Sequence, residues 1–172
     1  MRIAFDHPHS SQYDEINLNC GCPSERVLSG SFGAALMLDR SRTEGIVAAI
    51  REAAPSRVSV TVKCRTHVTG IEDEEAYASL VRFAEGVRAA GASELFVHAR
   101  KGILGGLSTK KNRIVPPLTH EKVHRLAMEE GLGLKIHING GVDTLDQVAW
   151  QLEEHASLHG VMVGRAAYQK PW

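Results

Sequence analysis

The sequence predicts an α/β protein of the TIM (β/α)8-barrel type, of which the chain supplies only a part. Three observations predict it. Short apolar, β-branched runs alternate with amphipathic stretches, five runs in all. Strands that alternate with helices pair in parallel, because a parallel neighbour is reached only by a crossover connection. Each run also ends in residues suited to ligands. In a barrel, groups at the C-terminal ends of the strands converge on one point. In an open doubly wound sheet they would spread along an edge, with a crevice only where the strand order reverses. The third observation is size. A complete barrel takes about 250 residues, whereas this chain has 172.

The elements follow in order. Residues 16–19 form the first run and lead into Asn19-Cys20-Gly21-Cys22, where Pro23 follows and the backbone turns sharply. A helix over 43–54 sets Ile46, Val47, Ile50 and Ala54 on one face. The second run, 58–63, ends in Lys63-Cys64-Arg65. A helix over 74–90 aligns Tyr77, Leu80, Val81, Ala84 and Val87, and Gly91 is its stop signal. The third run, 94–98, ends in His98-Ala99-Arg100, and a helix over 119–130 stops at Gly131. The fourth run, 134–138, leads into Asn139-Gly140-Gly141. The helix over 144–154 opens on Thr144 with Gln147 three residues later, a capping box. The fifth run, 160–163, ends in Gly164-Arg165. All five runs are short and apolar, the pattern of strands covered on both faces.

Composition narrows the function. At 43% hydrophobic and 23% charged the chain is an ordinary soluble globular protein, not a disordered, collagen-like or coiled-coil one. No apolar run approaches the roughly 18 residues of a membrane-spanning helix, so no membrane contact is expected. Twenty basic and twenty acidic residues cancel, so contact with nucleic acid must be a local patch rather than a basic surface. Residues 1–11 lack the apolar core of a secretion signal. Three cysteines, Cys20, Cys22 and Cys64, make no disulfide framework and fit a reducing compartment. A cytoplasmic location is expected.

Several residues carry chemistry. A thiol with a pKa of about 8.5 stays protonated at neutral pH and donates from close range, which suits Cys22 to proton transfer. The plain alternative is a buried structural cysteine. Cys20, two residues away in a strand-like segment, shares a face with Cys22, so both thiols could enter the site. The ammonium of Lys63 at a strand end stabilises negative charge, or else simply reaches for water. His98 alone reads as a satisfied core histidine. The glycines of Asn139-Gly140-Gly141 and Gly164-Arg165 let backbone N–H groups approach a phosphate, and Arg165 can hold one with two bonds. Alone, each is a glycine turn. Between Leu95 and His120 there is no acidic residue, but there are Arg100, Lys101, Lys110, Lys111 and Arg113. That patch can neutralise a few phosphates or be a solvated loop. Cys20 and Cys22 with Cys64 and His67 make a poor zinc spacing, and the group of Asp6, His7 and His9 is short and terminal. No metal is assigned.

Four strings occur in order: Ile-Asn-Leu-Asn-Cys-Gly-Cys-Pro-Ser-Glu-Arg-Val at 16–27, Val-His-Ala-Arg-Lys at 97–101, Ile-Asn-Gly-Gly-Val at 138–142, and Val-Met-Val-Gly-Arg-Ala-Ala-Tyr at 161–168. Together they closely resemble the tRNA-dihydrouridine synthases. The stretch 106–118, with Lys110, Lys111 and Arg113, looks like the A subfamily, which acts on the tRNA D-loop around positions 20 and 20a. The resemblance runs from about Tyr13 to Trp172. It implies an FMN enzyme that uses NADPH to reduce the C5–C6 bond of uridine, built as a barrel followed by a helical tRNA-binding domain. Carried over by position, it makes Cys22 the proton donor to C5. Lys63, His98, Asn139, Gly140, Gly141, Gly164 and Arg165 become FMN contacts, and Asn19, Lys110 and Arg113 tRNA contacts. No protein partner is implied.

The chain departs from that pattern at both ends. Nothing before Tyr13 matches the family's early Pro-Met-Met and Gln flavin contacts, and Trp172 falls where the helical domain should begin. Residues 1–12 are therefore read as an unmatched segment. Residues 13–172 are read as a partial FMN-binding barrel, strands four to eight, with the helical domain absent. Two other readings stand beside this one. The first is an FMN-dependent oxidoreductase of small pyrimidines, which would give the basic loop no purpose. The second is a non-catalytic truncated remnant.

Overall fold

A computed structural model describes residues 13–24 and 30–170. The segment 1–12, with Asp6, His7 and His9, lies outside the described residues, as do positions 25–27 of the cysteine string and the last two residues. Five strands, β1 (Glu15–Asn19), β2 (Ser59–Arg65), β3 (Glu94–His98), β4 (Lys135–Asn139) and β5 (Gly160–Met162), form one sheet. Its order is β1-β2-β3-β4-β5, and every neighbouring pair is parallel. Sequence order and spatial order coincide, with no reversal. A doubly wound sheet requires a reversal. Crossovers of one hand that always step the same way leave their helices on one face, which is how a (β/α) barrel winds.

The helices among the described residues are α1 (Arg40–Ala53), α2 (Ala76–Ala89), α3 (His120–Ala127), α4 (Leu145–Glu154) and α5 (Arg165–Gln169). Asp39 caps α1 by accepting from the Arg42 N–H at 3.1 Å. The helix therefore starts earlier than residue 43. Thr43 itself is buried and donates to the Leu36 and Asp39 carbonyls at 2.7 and 3.0 Å. The capping box at Thr144 is present in both directions, each bond at 3.2 Å. Gly91, at φ +107°, follows the C-cap of α2. Two 3-10 turns that hydrophobic periodicity does not reveal, Gly33–Leu38 and Lys111–Arg113, complete the connections. No helix among the described residues is long and apolar enough to cross a membrane.

The register separates two faces. Ile16, Leu18, Val60, Val62, Cys64, Leu95, Val97, Ile136 and Ile138 join Val47, Leu80, Phe83, Val123 and Leu126 of the helices in one core. Fully burying each such aliphatic group is worth about 1.5–3 kcal/mol. Residues in register share a face, so the other face carries three rows. They are Asn17, Thr61, Glu94 and Lys135; then Asn19, Lys63, Phe96, His137 and Gly160; then Arg65, His98, Asn139 and Met162. The expectation of strands apolar on both faces is corrected here. The runs are too short to display their alternation clearly, and their second face is the polar lumen side of the sheet.

Candidate active site at the C-terminal rim of the sheet

A cavity of about 390 Å³ opens where β2 to β5 end. Lys63, His98, Asn139, Gly140, Gly141, Gly164 and Arg165 line it, joined by Arg113, Val142, Asp143, Met162 and Tyr168. All seven residues assigned to the flavin from the sequence therefore meet in one space, together with Arg113 of the basic loop. Lys63 Nζ donates to Asn139 Oδ1 at 3.1 Å, and Asn139 Nδ2 donates to the Met162 carbonyl at 2.7 Å. These two bonds tie β2, β4 and β5 together at the rim. Burial lowers the Lys63 pKa, a shift opposed by Cys64 and reinforced by Arg65.

Gly140 and Gly141 shape the floor. Both have positive φ, +108° and +75°, a region closed to most side chains. A Cβ on Gly140 would stand 2.6 Å from His98 Cδ2, and one on Gly141 2.5 Å from Leu118 Cδ1. The turn is held from behind by His120, whose Nε2 lies 2.7 Å from the Gly140 carbonyl. Arg165 opens α5, a helix of only five residues, so its contribution is its own charge rather than a helix field.

His98 is a neutral imidazole. Burial first, then the charges of Arg65, Lys63, Arg100 and Arg165, push its pKa down to about 3. An unfolded histidine titrates at about 6.5. Between those values the unfolded chain takes up a proton that the folded chain refuses. The stability tied to His98 is thus complete above about pH 6.5 and is lost as pH falls toward 3. His98→Gln is expected to flatten the fall in Tm on acidification from neutral pH. Part of the slope stays, because His67, His124 and His137 are shifted the same way. An unchanged slope in the variant contradicts the assignment.

The cysteines divide cleanly. Cys20 and Cys64 are fully buried in the helix-side core. Burial pushes the Cys20 thiol up to about 12, and Cys64 is raised in the same way. Cys22 is partly exposed on the loop after β1. Its carbonyl accepts from Ala34 N–H at 2.9 Å, and its neighbour Gly21 accepts from Arg65 Nε at 3.1 Å. Cys22 is not among the residues lining the cavity; its loop stands on the same C-terminal rim. Asn19, in register with Lys63, turns its Oδ1 to the Gly21 N–H at 2.9 Å. Lys110 is exposed at the start of the Lys111–Arg113 turn, also outside the cavity lining.

The family model described as dihydrouridine synthase (Dus) matches residues 6–172. The chain belongs to the dihydrouridine synthase family. The match starts ahead of residue 13, from which the resemblance is read in the sequence. Among curated relatives, a tRNA-dihydrouridine(20/20a) synthase of Xanthomonas axonopodis pv. citri is 46% identical over 160 residues, 93% of this chain and 45% of that protein. Its counterpart in Synechocystis is 46% identical over 161 residues, again 93% and 45%. That of Xylella fastidiosa is 44% identical over 172 residues, 99% and 47%. The chain thus spans about half the length of the curated relatives it matches. Among solved structures, CdNal from Clostridium difficile in complex with mannosamine superposes with a TM-score of 0.55 at 14% identity, covering 97% of this chain and 49% of that one. That likeness concerns the fold alone and agrees with a partial TIM-barrel architecture.

Members of the dihydrouridine synthase family are flavin-dependent oxidoreductases, and in this chain several rim residues take structural roles that the motifs do not assign. Arg65 is 3% exposed and ties two loops together, through the Gly21 carbonyl at 3.1 Å after β1 and the Lys101 and Asn112 carbonyls at 3.3 and 2.9 Å after β3. Asn112, fully buried, closes the basic loop on Ile103 N–H at 2.8 Å and on the Ile103 and Leu107 carbonyls at 3.0 and 3.1 Å. Arg100 donates to the Ile114 and Pro116 carbonyls. In the sequence Arg65 is marked as the last residue of the strand-end group Lys63-Cys64-Arg65, on the same face as Lys63.

Proposed function

We propose that the chain is the rim-forming part of an enzyme that reduces uridine to 5,6-dihydrouridine in the tRNA D-loop, at positions 20 and 20a, with FMN as cofactor and NADPH as reductant. The observation that carries the proposal is the meeting of Lys63, His98, Asn139, Gly140, Gly141, Gly164 and Arg165 around one cavity, beside the loop of Cys22. The cavity's size suits a cofactor. Its lining has three cations, Lys63, Arg113 and Arg165, against one carboxylate, Asp143, a balance that favours a phosphate-bearing ligand. The positive-φ glycines offer a bare backbone of the kind a phosphate requires.

When bound and reduced, FMN supplies the hydride for C6 of the uracil. The chain's own residues do the rest. Cys22 Sγ–H delivers the proton to C5, completing addition across the double bond. Lys63, held by Asn139, would help hold the flavin, and its ammonium would stabilise negative charge on it. Asn19, Lys110 and Arg113 face the tRNA, whose target base must leave its stack for the C5–C6 bond to be reached. Residues 13–172 act as the partial FMN barrel, in a cytoplasmic setting. The basic loop of Lys110, Lys111 and Arg113 favours a polynucleotide over a small pyrimidine, which would leave that loop without a purpose.

The test uses a protein that carries this chain within the full length of its relatives. The expected result is a yellow protein whose NADPH oxidation rises with unmodified tRNA but not with free uracil or uridine, and tRNA that gains two mass units in a D-loop fragment. A colourless protein, or oxidation indifferent to tRNA, overturns the reading.

A further inference from the structure

Three side chains converge on the lumen side of the sheet, below the cavity. Glu94 opens β3, His137 is the middle residue of β4, and His159 immediately precedes β5. One ligand atom from each lies within 4.8 Å of the other two. Glu94 Oε2 and His137 Nε2 are 2.6 Å apart, and the rings of His137 and His159 meet edge to face with centroids 5.1 Å apart. Two imidazoles and one carboxylate from separate elements make the donor set that borderline divalent metals prefer, with further positions left for water.

The surroundings support the geometry. Phe96 stacks on His137, centroids 4.2 Å apart and planes 18° off parallel, which fixes the imidazole plane. Gly160 keeps the space clear, since a Cβ there would stand 2.6 Å from His137 Nδ1. We propose that Glu94, His137 and His159 bind a divalent transition cation of the Zn²⁺, Co²⁺ or Ni²⁺ class, which clasps β3, β4 and the entry to β5. The metal takes over the Glu94–His137 contact that holds the two groups in its absence. Lys135 opposes it, with Nζ 3.5 Å from Glu94 Oε1 on a half-exposed side chain. That ammonium competes for the carboxylate and limits affinity. The site lies two residues down β4 from Asn139, so it is separate from the flavin contacts.

The experiment is a titration of the full chain with Co²⁺, read by visible d–d absorption and by calorimetry, followed by competition with Zn²⁺. One cobalt per chain is expected, displaced by zinc. His159 is exposed, so His159→Ala removes a ligand without opening the core and is expected to weaken binding at least about tenfold. Lys135→Met is expected to tighten it. The terminal His7 and His9 are the obvious competitors, and the His7→Ala/His9→Ala double variant is expected to bind as the parent does. Absence of a saturable one-to-one phase, equal affinity in His159→Ala, or loss of binding in the terminal double variant overturns the site.

Discussion

Cys22→Ala is expected to lower dihydrouridine formation by about 10²–10⁴-fold, the usual contribution of a positioned general acid, while the purified protein keeps its flavin absorption. The expectation rests on three features of the rim. No other cysteine can substitute, since Cys20 and Cys64 are fully buried with thiols raised by that burial. The Cys22 loop is also anchored without the thiol. Ala34 N–H binds the Cys22 carbonyl, Arg65 binds the Gly21 carbonyl, and Gly21 N–H binds Asn19. Removing the sulfur leaves all three bonds in place, so lost activity reports lost chemistry rather than a lost loop. Finally, the proposed flavin contacts lie on β2 to β5 and their loops, not on this one, so the cofactor stays. The measurement is dihydrouridine content by mass spectrometry after reaction with unmodified tRNA, beside the visible spectrum of each protein. A variant as fast as its parent removes Cys22 from the chemistry.

The fold was legible wherever a period was long enough to read. The α2 stripe of Leu80, Ala84 and Val87 and the capping box at Thr144 predict helices that the structure contains. The five strand runs announce themselves by β-branched residues and by the ligand-type residues that end them. The 3-10 turn at Gly33–Leu38 was not legible, because Ala34, Leu36 and Met37 are buried by a local coil whose apolar run has neither helical nor strand period. The polar lumen face was missed for a related reason. In a five-residue strand such as β3, Glu94, Phe96 and His98 give only three points of alternation. At the site, strand-end residues could be read because their position is their signal. Arg65 is legible as a strand-end residue but its structural role is not, since its partners are backbone carbonyls 44, 36 and 47 residues away, and any residue type supplies a carbonyl. His159 likewise reads as a loop histidine until β3 and β4 bring Glu94 and His137 beside it.

Arg65→Met is expected to cost about 3–5 kcal/mol, since three carbonyls each lose a donor at about 1–3 kcal/mol apiece, part of it recovered by relaxation. The total stability of a domain is only about 5–15 kcal/mol. Methionine matches the aliphatic stem but donates nothing, so the Gly21, Lys101 and Asn112 carbonyls lose their common donor. Burial, followed by the charge of Arg100, lowers the Arg65 pKa to about 10, which leaves the guanidinium charged at neutral pH and its hydrogen bonds at full strength. Arg65→Lys restores the charge, yet a single ammonium cannot reach three carbonyls on two loops as a planar fork does, so an intermediate loss is expected. The readouts are a thermal melt, with Tm lower by about 10 °C in Arg65→Met, and the rate at which a thiol reagent labels Cys22. Because Arg65 holds the carbonyl next to Cys22, its loss frees that loop and labelling accelerates, whereas a side chain that only filled space would lower Tm and leave the labelling rate of the folded protein unchanged. Unaltered melting in Arg65→Met means that the two loops are held by their own hydrogen bonds, such as those of Asn112, and not through this guanidinium.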